Sequence, residues 1–197
     1  CFAVWTLFSI VGIKIKQELS LDDSAFGLLV ATPVLTGALS RLFLGLLSDK
    51  FGGRRVFALL MLMTAGAVYA VSVVSSFSLL LVAALGLGFS GGSFAVGVSY
   101  VSSWFDRAHQ GTALGIFGAG PIGTAVTTFG APLLVNAVGW RETVQIYTAV
   151  LAASAVIFYL LTREDPASAA RAAGTIKPRR LVDQMLPLAR LQVWRFS

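Results

Sequence analysis

The sequence predicts an all-α membrane protein with six helical spans, the first of them partial. Two features carry that prediction. The 197 residues are 56% hydrophobic and only 12% charged, whereas a soluble domain carries roughly 25% charged residues. The charges also cluster, leaving apolar gaps close to the ~20 residues a helix needs to cross a bilayer. A mean hydropathy of +0.82 fits the same class.

The spans follow in order. The apolar run 1–13 is too short to cross and reads as part of a first span. It has neither the basic leading segment nor the small-residue cleavage site of a signal peptide. Complete spans are predicted at 25–47, 56–76, 79–102, 112–135 and 143–161, joined by short loops that make neighbours antiparallel. Residues 1–162 therefore form a six-helix unit, expected to divide into two inverted three-helix repeats without visible sequence identity between them. Residues 163–190 are polar, basic and Pro-containing and read as a cytoplasmic linker. Within it, 181–191 could lie on the membrane surface, but Pro187 limits a helix there and a plain tether is preferred. The stretch 191–197 reads as the start of a seventh span. With Cys1 already inside an apolar run, the chain is expected to be truncated at both ends.

Basic residues set the expected orientation. The loops after spans two, four and six carry Lys50, Arg54, Arg55, Arg107, Arg163, Arg171, Lys177, Arg179, Arg180, Arg190 and Arg195. The other loops carry Lys14, Lys16 and Arg141. The first set is expected to face the cytoplasm, of a bacterial inner (plasma) membrane. The terminal segment supplies much of this bias. Trp104 and Trp140 sit at span ends, as interfacial aromatics do. The net charge of +6 thus reflects loop placement and not a nucleic-acid partner. A single cysteine and the isolated His109 offer no disulfide framework and no metal site. No cofactor is expected. No Gly-rich phosphate loop ending in Gly-Lys-Ser/Thr is present, so this chain does not itself hydrolyse ATP and is not read as an enzyme.

Three stretches carry the chemistry. Arg41 is the only formal charge in 25–47. A cation at membrane depth costs on the order of 3 kcal/mol and usually meets an anion or a protein partner. Its helical neighbours are Val34, Gly37, Ala38 and Gly45, mostly small residues that suit close helix packing. It also lies about six residues, ~9 Å, from the predicted span end, so spacing leaves snorkelling equally open. The guanidinium fork suits a planar oxyanion. Next, the loop after span two reads Gly45-x-x-x-Asp49-Lys50-x-Gly52-Gly53-Arg54-Arg55. It has glycines for a tight turn, and an acid able to meet a neighbouring helix end or a base, the parts of a conformational latch. That pattern resembles the major facilitator superfamily signature between spans two and three, in which a basic residue usually stands at Gly53. Third, spans four and five are glycine-rich, with Gly91 and Gly92, then Gly115, Gly118, Gly120 and Pro121. Packing explains most of these. The density of 118–123 should weaken the helix and free backbone groups.

The resemblance narrows with Gly91-Gly92-Ser93-Phe94, Ser102-Ser103-Trp104-Phe105, Gln110-Gly111-Thr112-Ala113-Leu114-Gly115 and Gly118-Ala119-Gly120. Together with Arg41 placed eleven residues before Gly52, these are similar to the nitrate/nitrite porter family of that superfamily. The resemblance covers essentially the whole chain. It implies the N-terminal half of a twelve-helix transporter that works by alternating access. The span-two arginine of that family binds the anion and a span-four phenylalanine stacks on its flat face, roles that fall on Arg41 and Phe94. Glycine-rich spans four and five are thought to slide. The family commonly has an asparagine where this chain has Pro121, so pocket polarity moves to Thr124, Thr127 or Ser93.

The expected substrate is a small inorganic anion, nitrate or nitrite, taken up by exchange or proton symport. No Asp or Glu lies within the five complete spans to carry protons, and exchange avoids working against an inside-negative potential. The bilayer and a C-terminal half of the same chain are the expected partners, the latter adding a second cation. A carrier of another small anion such as a carboxylate is the alternative, with Pro121 its main support. A six-span sensor or scaffold that carries nothing is the rival from another class.

Overall fold

A computed structural model describes residues 1–166. Helices α1 (Phe2–Glu18), α2 (Asp23–Phe51) and α3 (Gly53–Val73) form the first three spans. Span four runs through α4 (Phe77–Gly88), a 3-10 turn (Phe89–Gly92) and α5 (Ser93–Ser102). Span five is α6 (Gln110–Phe117), a turn over 118–121 and α7 (Ile122–Val138), and span six is α8 (Trp140–Leu161). No strand occurs among the described residues. Taken as continuous, 23–51, 53–73, 77–102, 110–138 and 140–161 are each long and apolar enough to cross a bilayer.

Helix ends explain the differences from the predicted spans. The first helix does not stop at residue 13 but runs to Glu18, because no breaker precedes Leu19 and Ser20. Asp22 caps α2 by accepting from the Ala25 amide at 3.0 Å, which sets that span two residues earlier than expected. Gly52 has φ 91° and ends α2 while starting α3, a corner open only to a residue without Cβ. Gly139, at φ 96°, makes the same one-residue corner between α7 and α8.

Packing follows an internal symmetry. Span two packs on span four (α2 on α4), span one packs on span five (α1 on α7), and span three packs on span six (α3 on α8). Exchanging spans one to three with four to six reproduces this pairing. The Gly52 and Gly139 corners then occupy matching places at opposite ends of the bundle. That is the arrangement of an inverted repeat, carried here by helix pairing and corner geometry. The main core joins Val4, Leu7 and Val11 of α1 to Met61 and Val68 of α3, Leu80 and Leu87 of α4, and Leu151 of α8. Spans two and five keep wide exposed apolar faces, including Leu35, Leu39, Leu42 and Phe43 on one and Val126, Phe129 and Leu133 on the other.

Candidate functional site

Arg41 lies deep. With α2 extending to Phe51, it stands ten residues from the helix end, about 15 Å at 1.5 Å per residue. Its side chain turns across to span four, where Nε donates to the Gly91 carbonyl at 3.2 Å. Gly91 is near the middle of the 77–102 span. The guanidinium is therefore held at mid-span and not drawn toward the headgroups. Among the described residues no partner meets Nη1 or Nη2. The terminal edge of the fork, with its donors, remains available on the exposed face of this unit.

That bond depends on close helix contact. Gly37 and Gly91 face each other, so that a Cβ built on Gly91 would lie 3.1 Å from Gly37 Cα. The indole of Trp5, from α1, fills the notch: the same Cβ would fall 2.4 Å from its Cζ3. Gly92 admits Leu44 and Ser40 of α2 in the same way. Low helix propensity at these glycines also permits the tighter 3-10 turn. Gly91 and Gly92 are thus buried packing points, and Ser93 beside them is 3% exposed. Phe94, next along, is 39% exposed and presents its ring one turn beyond the carbonyl that holds Arg41.

The glycine-rich part of span five behaves differently. Gly115 has open space beside it, and Gly118 to Pro121 are exposed. Backbone bonds there tighten to i→i+3, from Ala119 to Ile116, Gly120 to Phe117 and Ile122 to Ala119. Pro121 has no N–H, and no backbone donor among the described residues reaches the Gly118 carbonyl. Gly120 and Pro121 thus form a turn that opens α7. Thr124 is half-buried just inside that helix, while Thr127 is fully buried with no partner for its hydroxyl.

The loop signature sits at the end of the bundle shared by α3 and α8. Two helix termini cap each other there. The Asp165 carboxylate accepts from the amide of Gly53, the first residue of α3, at 3.0 Å. Arg54 donates through Nε to the carbonyl of Tyr159, in the last turns of α8, at 3.1 Å and lies over the Tyr159 ring. A carboxylate at a helix N-terminus and a guanidinium at a C-terminus both suit the helix dipole. Arg55 pairs with Glu164 at 2.9 Å, and the Tyr100 hydroxyl donates to the Arg163 carbonyl. Tyr100 also explains Gly53, since a Cβ there would lie 2.8 Å from its ring. Asp49 lines a polar cavity of about 200 Å³ at the C-terminal end of α5, with Tyr100, Asp165 and the serines 48, 99, 102 and 103. Lys50 is exposed near the Phe51 ring, and a Cβ added at Gly45 would meet nothing within 4 Å. Residues 163–165, read as the start of a free linker, are docked on α3; the remainder of that linker and 191–197 lie outside the described residues.

Sequence reasoning overlooked Trp5, Phe117 and Asp165. Trp5 breaks an aliphatic run and Asp165 follows directly on the last span, but neither signal names a partner.

The family described as Major Facilitator Superfamily matches residues 1–196. The chain belongs to the major facilitator superfamily. Curated relatives narrow its neighbourhood within that superfamily. The protein named Probable nitrate/nitrite antiporter NarK1, of Thermus thermophilus, is 37% identical over all of this chain and 46% of its own length. Nitrite extrusion protein of Bacillus subtilis is 37% identical over 81% of this chain and 40% of its own. Probable nitrate transporter NarT of Staphylococcus carnosus is 32% identical over 81% and 41%. This superfamily chain therefore spans less than half the length of the curated relatives it matches. It is an integral membrane protein of a transporter superfamily, and its all-helical fold is that of such a transporter.

Proposed function

We propose that the protein forms the N-terminal half of a secondary transporter for nitrate and nitrite. The observation that carries this reading is Arg41, fixed at mid-span through Nε on the Gly91 carbonyl, with neither terminal nitrogen partnered among the described residues. A planar oxyanion can accept two parallel bonds from that edge. The Phe94 ring covers its flat face, and Thr124 stands beside the open turn of Gly120 and Pro121. The relatives named for nitrate or nitrite support the substrate class. A C-terminal half supplies a second cation and the other wall of the path. Gly115 and Gly118, both exposed, face that half and permit sliding, while Gly91 and Gly92 hold span four against span two. The reciprocal caps around Gly52 to Arg55, with Gly45, Asp49 and Lys50 alongside, form the cytoplasmic latch. The basic loops face the cytoplasm of a bacterial inner membrane. Coupling is nitrate/nitrite exchange or proton symport.

The test is Arg41→Lys in the full-length protein, reconstituted in liposomes. Lysine keeps the charge but cannot hold Gly91 and two oxyanion atoms at once. Losing one charge-assisted bond of about 1.5–3 kcal/mol raises the half-saturation constant for nitrate about tenfold to a hundredfold. Unchanged uptake overturns the site. Dependence on internal nitrite without response to a pH gradient identifies exchange; the converse identifies symport. Pro121, which cannot donate a bond to the anion, favours a second reading, a small-carboxylate carrier. Stronger competition by formate or acetate than by nitrite would select it.

A further inference from the structure

Phe94 is an exposed ring with little of its own helix to hold it. Two aromatic neighbours do so. Phe117 lies with its centroid 5.5 Å away, tilted by 34°, and Phe2 meets it edge-on at 6.1 Å. Phe117 is the more constrained of the two. It is the last residue of α6, directly before the 118–121 turn. Its ring enters a notch on α5 that exists because residue 97 is glycine: a Cβ there would lie 2.2 Å from Phe117 Cζ and 2.8 Å from Cε2. Gly97 is three residues beyond Phe94, so notch and ring share one face of α5. One phenylalanine from span five therefore spans a helical turn of span four, with its edge in the notch and its face along Phe94.

We infer that Phe117 is a positioning residue that sets the orientation of the Phe94 ring toward the anion, with Gly97 as its socket. This rests on the reading of Phe94 as the flat wall of the site. It adds a residue from span five that does not touch the substrate, and it ties the angle of that wall to the turn at Gly118 to Pro121. A shift of that turn carries Phe117 with it and turns the Phe94 ring.

The experiment measures nitrate uptake by the full-length protein in liposomes, with competition by tetrahedral perchlorate. Phe117→Leu should raise the nitrate half-saturation constant about three- to tenfold, the value of one well-placed ring contact. The maximal rate should stay within about twofold, and discrimination against perchlorate should fall. Phe117→Tyr, whose hydroxyl would extend from Cζ into the Gly97 notch, should share the defect. Gly97→Ala should reproduce the Phe117→Leu defect, and the double variant should be no worse than Phe117→Leu alone. If Phe117→Leu fails to reach the membrane, Phe117→Met, which keeps bulk without a flat face, gives the same readout. An unchanged half-saturation constant in the leucine and methionine variants overturns the inference. So does a wild-type constant in Gly97→Ala. Phe94→Leu separates the two levels. If it raises the constant while Phe117→Leu does not, only this inference fails; if it leaves the constant unchanged, the site reading itself fails.

Discussion

Alanine substitution along the contact between spans two and four should give a graded response, set by the space beside each glycine. At Gly91 the added methyl would lie 2.4 Å from Trp5 Cζ3, 2.7 Å from its Cη2 and 3.1 Å from Gly37 Cα. Carbon atoms in contact prefer about 3.5–4.0 Å, so the α1 indole must withdraw by roughly 1 Å and spans two and four must part by about 0.4 Å. Overpacking of this kind costs about 1–3 kcal/mol. Parting spans two and four by that much would also stretch the 3.2 Å bond from Arg41 to the Gly91 carbonyl to about 3.6 Å, beyond hydrogen-bonding range. Gly91→Ala should therefore lower the melting temperature of the full-length protein by several degrees and also raise the half-saturation constant for nitrate. At Gly37 the nearest atoms are the Gly88 carbonyl oxygen at 3.0 Å and Trp5 at 3.2 Å, so Gly37→Ala should be milder. Gly45 has nothing within 4 Å, and Gly45→Ala should be neutral or stabilising by up to about 1 kcal/mol through helix propensity. Thermal melting in detergent and liposome uptake test the order. If Gly91→Ala proves as benign as Gly45→Ala, the seating of Arg41 on a glycine crossing is wrong.

Three further outcomes are expected. Gly52→Ala places a Cβ at φ 91° and should cost about 1–2 kcal/mol, read as a drop in melting temperature. Asp165→Ala strips the carboxylate from the Gly53 amide and should destabilise by about 1–2 kcal/mol, with Asp165→Asn intermediate in the same melt. At the opposite end, Glu18 holds Arg141 at 2.6 Å and the Trp140 indole at 2.9 Å, and those bonds, Arg141 first, keep its carboxyl below the usual glutamate range. A lowered folded pKa contributes stability above the unfolded value and loses it as pH falls through the folded one. The melting temperature should then drop between about pH 5 and pH 3 more steeply in the wild type than in Glu18→Gln, and 1 M salt should shrink the difference.

Much of the fold was legible because hydropathy and helix length are local. Each span needs an apolar run of sufficient length, and a bilayer leaves no other way to satisfy its backbone. A tight turn at the Gly52 and Gly53 pair was readable, but not its one-residue length, since the predicted spans stopped at 47 and resumed at 56. Phe94 was singled out by the family resemblance, and nothing in its neighbours along the chain points to Phe117.

By itself, then, the sequence determined a helical membrane protein, the order and approximate bounds of its spans, and a lone cation inside one of them. Tertiary structure alone decided what that cation does at mid-span. Arg41 meets a carbonyl 50 residues away, and the amide of Gly53 meets a carboxylate 112 residues away. Contacts at such separations depend on which helices cross and how closely. Here glycine notches filled by Trp5 and Phe117 set those crossings, a matter of complementary shape that periodicity and charge do not encode.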